Sequence, residues 1–288
     1  MIDLHTHSNF SDGELAPAVL INKAAEMGLQ GLALTDHDTI KGLESAKTAA
    51  KLVENFKFIP GIEININWSG KKDIPGLGPG GEFHLLGLGI TAPSPAFLAA
   101  IDGLFRRRET RNRQILDRLH EFNIDATWEE LVSLSGGHAI GRPHFAALLV
   151  KHKVVKNIKQ AFDRYIGVGK PFYVPKEGLR FEEAVTLIRE SGGIPILAHP
   201  ISLYVAWGRL PLLIKILQDM GLMGLEAWHP TAKSSACRRL EALGKSLGLY
   251  ITEGSDYHGS LRPDRKLGYS GKGRKISDTI LEAIPELC

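Results

Sequence analysis

The chain has 288 residues, 43% hydrophobic and 23% charged, with a formal net charge of +3. Those proportions are ordinary for a globular protein of one large domain or a domain with an insertion, and no apolar run approaches the ~18–20 residues of a bilayer span. A membrane-spanning chain is therefore excluded as an expectation, and so small a charge does not by itself imply a nucleic-acid partner. The two cysteines, Cys237 and Cys288, argue against a disulfide framework. Together with the lack of a basic leader, they predict a cytoplasmic protein.

The chain opens on Asp3-Leu4-His5-Thr6-His7. The pattern predicts a strand over 2–5, and alternate side chains on a strand share a face, so His5 and His7 point the same way. Two neutral imidazoles side by side are a start on a metal site. A helix is predicted over 17–27, with Pro17 suited to its first turn and Gly28 just past its end. A strand over 32–35 leads to His37, a helix follows over 41–54, and a strand over 58–64 carries Glu63. The Gly- and Pro-rich stretch that comes next is unsuited to a crossover helix. Strands 58–64 and 83–89 are therefore expected to form an antiparallel hairpin, with Glu63 late in one strand opposite His84 early in the next. Within it, the glycine-rich 76–81 lacks a Lys-Ser/Thr end and does not read as a phosphate-cradling loop.

Thr91-Ala92-Pro93-Ser94-Pro95 reads as a linker. Helical patterns near 96–122, 128–134, 143–151 and 157–164 follow without a strand between them, so 91–170 is expected to be a helical insertion or cap domain. Its run of Arg106, Arg107, Arg108, Arg111, Arg113 and Arg118 reads as a solvated helix face, with a nucleotide- or RNA-guiding strip as the alternative. Beyond it, strands over 194–198, 224–228 and 249–253 alternate with helices over 181–191, 210–220 and 233–247. Alternating βα units predict a largely parallel sheet, and polar residues at strand ends fit a barrel with its site at one rim. Residues 1–90 and 171–288 suit seven βα units better than the ~250 residues typical of eight. The expected fold is thus an α/β class distorted (β/α)7 barrel carrying a helical insertion.

His5, His7, Asp12, His37, Glu63, His84, His199, Asp256 and His258 fall at or near these strand ends, nine candidate ligands in all. One ion takes about four to six ligands, so the number points to two or three ions. His120, His138 and His152 stand in no motif and are read as structural.

Asp3-Leu4-His5-Thr6-His7-Ser8 with Ser11-Asp12-Gly13 resembles the opening motif of the PHP (polymerase and histidinol phosphatase) family. Thr35-Asp36-His37-Asp38-Thr39 resembles its second motif, and Pro60-Gly61-Ile62-Glu63 with His84-Leu85-Leu86-Gly87 its third. Leu197-Ala198-His199-Pro200 and Gly254-Ser255-Asp256-Tyr257-His258-Gly259 are similar to its last two. Gly141-Arg142-Pro143-His144 and Glu226-Ala227-Trp228-His229-Pro230 resemble segments of its stand-alone bacterial phosphoesterase branch.

The resemblance implies one ion on His5, His7, Glu63 and Asp256, a second on Glu63, His84 and His199, and a third on Asp12, His37 and His258. Mn²⁺, Fe²⁺ and Zn²⁺ all suit such a mixed nitrogen and oxygen set. It also implies a metal-dependent phosphoesterase in which a hydroxide held between the ions attacks phosphorus. Asp36 and Asp38 are expected to orient imidazoles from behind. Pro143 suits the first turn of a helix, whose N–H groups favour an anion, and Arg142 adds a bidentate fork for phosphate. Arg142 and His144 are therefore the candidate catalytic and substrate-binding residues, with His229 as a further substrate contact.

The leading expectation is a phosphatase acting on a small phosphorylated substrate, a nucleoside 3',5'-bisphosphate. The alternatives are a 5'-3' exoribonuclease on short RNA, another small-molecule phosphatase such as one for histidinol phosphate, and, less favoured, a metal amidohydrolase. No motif points to a membrane or to an obligate protein partner.

Overall fold

The computed structural model describes residues 1–68, 80–136 and 139–287. It falls into two compact units, Met1–Ile101 with Gly178–Cys288, and Asp102–Glu177. Its strands are β1 (Ile2–Thr6), β2 (Gly31–Leu34), β3 (Lys57–Asn67), β4 (His84–Leu88), β5 (Leu179–Arg180), β6 (Ile194–Leu197), β7 (Gly224–Trp228) and β8 (Tyr250–Glu253), followed by the short pair β9 (Tyr269–Ser270) and β10 (Arg274–Lys275). The α-helices in chain order are α1 (Pro17–Glu26), α2 (Leu43–Ala50), α3 (Pro95–Glu121), α4 (Trp128–Leu134), α5 (Arg142–Lys151), α6 (Ile158–Ala161), α7 (Phe181–Glu190), α8 (Leu210–Asp219) and α9 (Ser234–Ser246).

In the first unit the main sheet runs β1-β2-β3-β4-β6-β7-β8, with β5 paired to the end of β3. Only β4 runs against its neighbours along this path, antiparallel to both β3 and β6. Past β8 the chain returns to β1: the Asp256 N–H donates to the His5 carbonyl at 2.8 Å and the His7 N–H to the Tyr257 carbonyl at 3.0 Å. The sheet thereby curls into the distorted βα barrel expected from the sequence. Its strands are buried nearly throughout because both faces are covered. On α1 the buried positions are Pro17, Leu20, Ile21 and Ala24, the i, i+3, i+4, i+7 stripe of a helix lying on a sheet. That stripe joins Leu32 and Leu34 of β2 in one core cluster.

The hairpin forms, but its register differs from the expectation. His84 lies opposite Asn65, and Glu63 lies opposite Leu86. Residues two apart on a strand share a face, so Glu63 and His84 meet on the diagonal instead of directly across. β3 also runs three residues past the predicted end, to Asn67, where it pairs with the two-residue β5. A strand as short as β5 leaves no periodic signal in sequence. Residues 69–79, and with them most of the glycine-rich 76–81, lie outside the described residues, as do His138 and Cys288.

The second unit is helical around Ile115, Leu119, Leu131, Phe145, Leu148 and Phe172. Thr127 caps α4: its side chain accepts from the Glu130 N–H at 3.2 Å, and Glu130 accepts from the Thr127 N–H at 3.1 Å. Glu130 also takes Lys151 Nζ at 2.6 Å and faces His152 Nε2 at 2.9 Å, tying α4 to the end of α5. Much of the arginine run serves the unit itself. Arg113 pairs with Glu109 at 2.8 Å and stacks over Trp128, Arg106 pairs with Asp102, and Arg118 donates to the Tyr173 carbonyl at 2.6 Å.

Candidate metal centre

Glu63 is the hub of the first unit's interior. Its Oε1 lies 2.8 Å from His84 Nδ1 and 2.8 Å from His199 Nε2. Its Oε2 lies 3.1 Å from His37 Nδ1, 3.2 Å from His7 Nε2 and 3.3 Å from His5 Nε2. Asp256 Oδ1 approaches His7 Nε2 at 3.1 Å, His258 Nδ1 at 3.4 Å and His5 Nε2 at 3.6 Å. Asp12 Oδ1 is 3.1 Å from His258 Nε2, and its Oδ2 is 3.9 Å from His37 Nε2. All nine side chains singled out in the sequence thus converge on one buried region. Their donor atoms form overlapping groups, His5-His7-Glu63-Asp256, His7-Asp12-His37-His258 and His37-Glu63-His84, with ligand atoms within 4.8 Å of one another in each. His199 joins through Glu63 Oε1 and through His84, whose Nδ1 is 3.4 Å from its Nε2.

The local reason is repeated around the rim. Past the ends of β1, β2, β6 and β8 the next one to six residues turn inward with polar side chains, while His5, Glu63 and His84 project inward from β1, β3 and β4 themselves. Three of these turns are strained: Asp38 has φ +53°, His199 φ +27° and Asp256 φ +49°. Left-handed backbone at a residue with a Cβ costs about 1–3 kcal/mol and persists only where the surroundings enforce it.

The donor set fits divalent cations. Glu63 Oε2 is buried among three imidazole nitrogens, yet with none of them does it make a well-directed hydrogen bond. Asp12 Oδ1, buried 3.1 Å from His258 Nε2 and 3.9 Å from His7 Nδ1, likewise lacks a well-directed bond. The Nε2 atoms of His5 and His7 face one another at 3.1 Å. Lone pairs here converge on shared points instead of lying along N–H···O lines, as expected for ligands of an ion. Nitrogen and carboxylate donors without thiolates suit Mn²⁺, Fe²⁺ or Zn²⁺ alike.

The electrostatics reinforce the arrangement. Burial pushes the Glu63 carboxyl up, but the imidazoles of His37, His84 and His5 outweigh it and hold its pKa well below the usual carboxylate range. Burial likewise opposes ionisation of Asp256 and Asp12. His5, Arg265 and His258 nonetheless hold Asp256 low, and His258 and His37 hold Asp12 low. Burial disfavours the His7 imidazolium, yet Asp256 and Glu63 raise its pKa to about 9. Three inward carboxylates that stay ionised in a buried pocket amount to a standing demand for positive charge.

The PHP domain family model matches residues 3–174. The chain belongs to the PHP family. It is similar to the 5'-3' exoribonuclease Rnm of Salmonella typhimurium, 33% identical over 261 residues that cover 89% of this chain and 84% of the relative. It is also similar to the 3',5'-nucleoside bisphosphate phosphatase of Chromobacterium violaceum, 32% identical over 270 residues that cover 93% of this chain and 91% of the relative. Among solved structures, one described as a metal-dependent phosphoesterase of Bifidobacterium adolescentis superposes with a TM-score of 0.81 at 25% identity, covering 99% of this chain and 96% of the other. This PHP chain is accordingly a metal-dependent phosphoric ester hydrolase.

Around the nine candidate ligands of this PHP chain stand residues whose roles sequence reasoning left unassigned. Glu226, in β7, faces His5 Nδ1 at 3.0 Å and accepts from the His199 N–H at 2.8 Å. Arg265 bonds Asp256 Oδ2, the oxygen that also faces His229. Asp3 accepts from the N–H groups of Ser255 and Gly268, each at 2.9 Å, and ties the loop after β8 to β1. A carboxylate inside an apolar strand was the available sign for Glu226. Arg265 follows no such pattern.

Asp36 differs from the expectation that it orients an imidazole. It accepts from the Ser8 N–H at 2.7 Å, the Ser8 hydroxyl at 2.6 Å and the Ser11 hydroxyl at 2.6 Å, and so clamps the turn that carries Asp12. Asp38 accepts from the Asn65 N–H at 2.9 Å. His229 is 3% exposed, with Nε2 at 3.0 Å from Asp256 Oδ2 and Nδ1 at 2.8 Å from the Thr231 hydroxyl. Arg142 and His144 begin α5 in the other compact unit. There His144 Nδ1 accepts from the Gly141 N–H at 2.9 Å, and the Arg142 guanidinium lies 5.7 Å from the Tyr173 ring centre.

Proposed function

We propose that this PHP protein removes a phosphate from a nucleoside 3',5'-bisphosphate, at a centre of two or three divalent ions, Mn²⁺, Fe²⁺ or Zn²⁺. The observation that carries the reading is the number and overlap of the ligands around Glu63, more than one ion can use. The full-length likeness to a nucleoside bisphosphate phosphatase supports the substrate class.

His5, His7, Glu63 and Asp256 would hold one ion, Glu63, His84 and His199 a second, and Asp12, His37 and His258 a third. Ions bound there supply activated water at neutral pH and neutralise charge on the phosphoryl oxygens. The chain's own residues set the geometry. Glu63 offers an oxygen to each of two neighbouring sets, fixing their spacing. His229 and Arg265 occupy Asp256 Oδ2 and so turn Oδ1 toward His7. Burial of this network keeps bulk water from screening it.

Arg142 serves as the substrate's phosphate fork, with His144 holding the first turn of α5 beside it. His229 supports the site through Asp256. The chain acts in the cytoplasm on this reading, with Cys237 a buried free thiol. No described helix is long and apolar enough to cross a membrane.

Cleavage of short RNA from its 5' end is the second reading, favoured by the likeness to the Salmonella exoribonuclease. The test is phosphate or nucleotide release by Mn²⁺-reconstituted protein from adenosine 3',5'-bisphosphate and from a 5'-phosphorylated RNA trinucleotide at matched concentrations. Faster turnover of the bisphosphate is expected. RNA cleavage dominating would install the second reading, and inertness toward both with metal bound would overturn the substrate class.

A further inference from the structure

Strand β7 contributes none of the nine candidate ligands, yet it carries a carboxylate into the heart of the barrel. All five of its residues are buried, and Glu226 is 1% exposed between Leu225 and Ala227. An ionised carboxylate in such a place costs several kcal/mol unless charge and hydrogen bonds compensate. Here both oxygens are used. Oε1 meets His5 Nδ1 at 3.0 Å, and Oε2 accepts the His199 N–H at 2.8 Å.

A carboxylate only accepts, so His5 must keep its proton on Nδ1, which leaves the Nε2 lone pair for the centre. That Nε2 is the atom 3.1 Å from His7 Nε2 and 3.3 Å from Glu63 Oε2. The other oxygen braces the backbone of His199 where φ is +27°. The end of β8 makes room for the pair: a Cβ on Gly254 would lie 2.3 Å from His5 Cβ and 2.9 Å from Glu226 Oε1.

We infer that Glu226 is a positioning residue of the centre, fixing the tautomer and aim of the His5 imidazole and the backbone that presents His199 to a divalent cation. The inference rests on the metal-centre reading above. It places β7 behind the ligands as a brace that sets two of them at once.

Glu226→Gln tests it. A glutamine keeps one acceptor oxygen and must turn an NH₂ toward either the His5 Nδ1–H or the His199 N–H, so one of the two bonds is lost. Mn²⁺ affinity of metal-stripped protein, measured by competition with a chelator, is expected to fall about 10- to 100-fold relative to wild type. Wild-type affinity in a folded Glu226→Gln protein would overturn the inference.

A second measurement needs no variant. In zinc-loaded wild type, ¹⁵N NMR of the histidines is expected to show His5 protonated at Nδ1 and zinc-bound through Nε2. Zinc on Nδ1 would overturn the inference as well. The two readings fail separately. A wild-type enzyme inert toward phosphate esters, with metal affinity still dependent on Glu226, would remove the phosphoesterase assignment alone. An active wild type whose Glu226→Gln variant binds metal equally well would remove the Glu226 role alone.

Discussion

Glu63 presents one oxygen to His84 and His199 and the other to His5, His7 and His37, so both of its oxygens are engaged by the imidazoles. Replacing it with glutamine keeps the volume but swaps an acceptor for an NH₂ aimed at ring nitrogens. Glu63→Gln is expected to lose about a hundredfold or more in metal affinity, with phosphatase activity falling alongside. Metal content after dialysis at fixed free Mn²⁺ checks this, and a full complement would remove Glu63 from the centre. On the proposed reading Arg142 serves substrate recognition, and its loss should leave metal content alone. Arg142→Ala is expected to lower kcat/KM by about 10- to 100-fold, mainly through KM, the scale of one charge-assisted bond to phosphate. Steady-state kinetics decide it, and unchanged kinetics would sink the assignment. At this scale the sequence was most legible. Ligand residue types at strand ends are visible in a linear string, whereas Glu226 acts on partners 221 and 27 residues away and Arg265 on one nine residues away.

At the scale of elements, the motifs are legible because each sits at the junction of one strand and its turn. The hairpin was foreseen from glycine and proline content, but its register was not. Register depends on which side chains fill the barrel interior, and that is settled between strands. The α4 start is a different case, since Thr127 and Glu130 form a capping box from residues three apart. Glu130 has its carboxyl held down to about 2, first by Lys151, then by His152 and the Thr127 N–H. Its folded pKa lies below the unfolded value, so its stabilisation is present above the ordinary glutamate range and is lost as pH falls toward about 2. Glu130→Gln is expected to melt below wild type at pH 7, with the two curves drawing together through that acid window. Thermal melts across the range check it, and a gap independent of pH would show that charge is not the cause.

For the whole molecule, the centre draws on the ends of β1, β2, β6 and β8, the body of β3 and the start of β4, so ions bound there would clamp the first unit's sheet from inside. Anything that binds the folded state alone stabilises it, by about 2.7 kcal/mol at a hundredfold excess over Kd. Mn²⁺ is therefore expected to raise Tm and a chelator to reverse the rise. A Tm indifferent to both would argue against ions within the barrel. What the sequence by itself determined is the βα alternation, the helical stretch between its two halves and the nine candidate ligands, because hydrophobic period, turn residues and ligand chemistry are local properties. Only the tertiary structure decided which ligand atoms face one another, that Glu63 and His84 sit two residues off direct opposition, and that Glu226 of β7 contacts both His5 and His199. Those facts depend on side chains from distant strands sharing one buried volume, where the cost of an unpaired charge selects the partner.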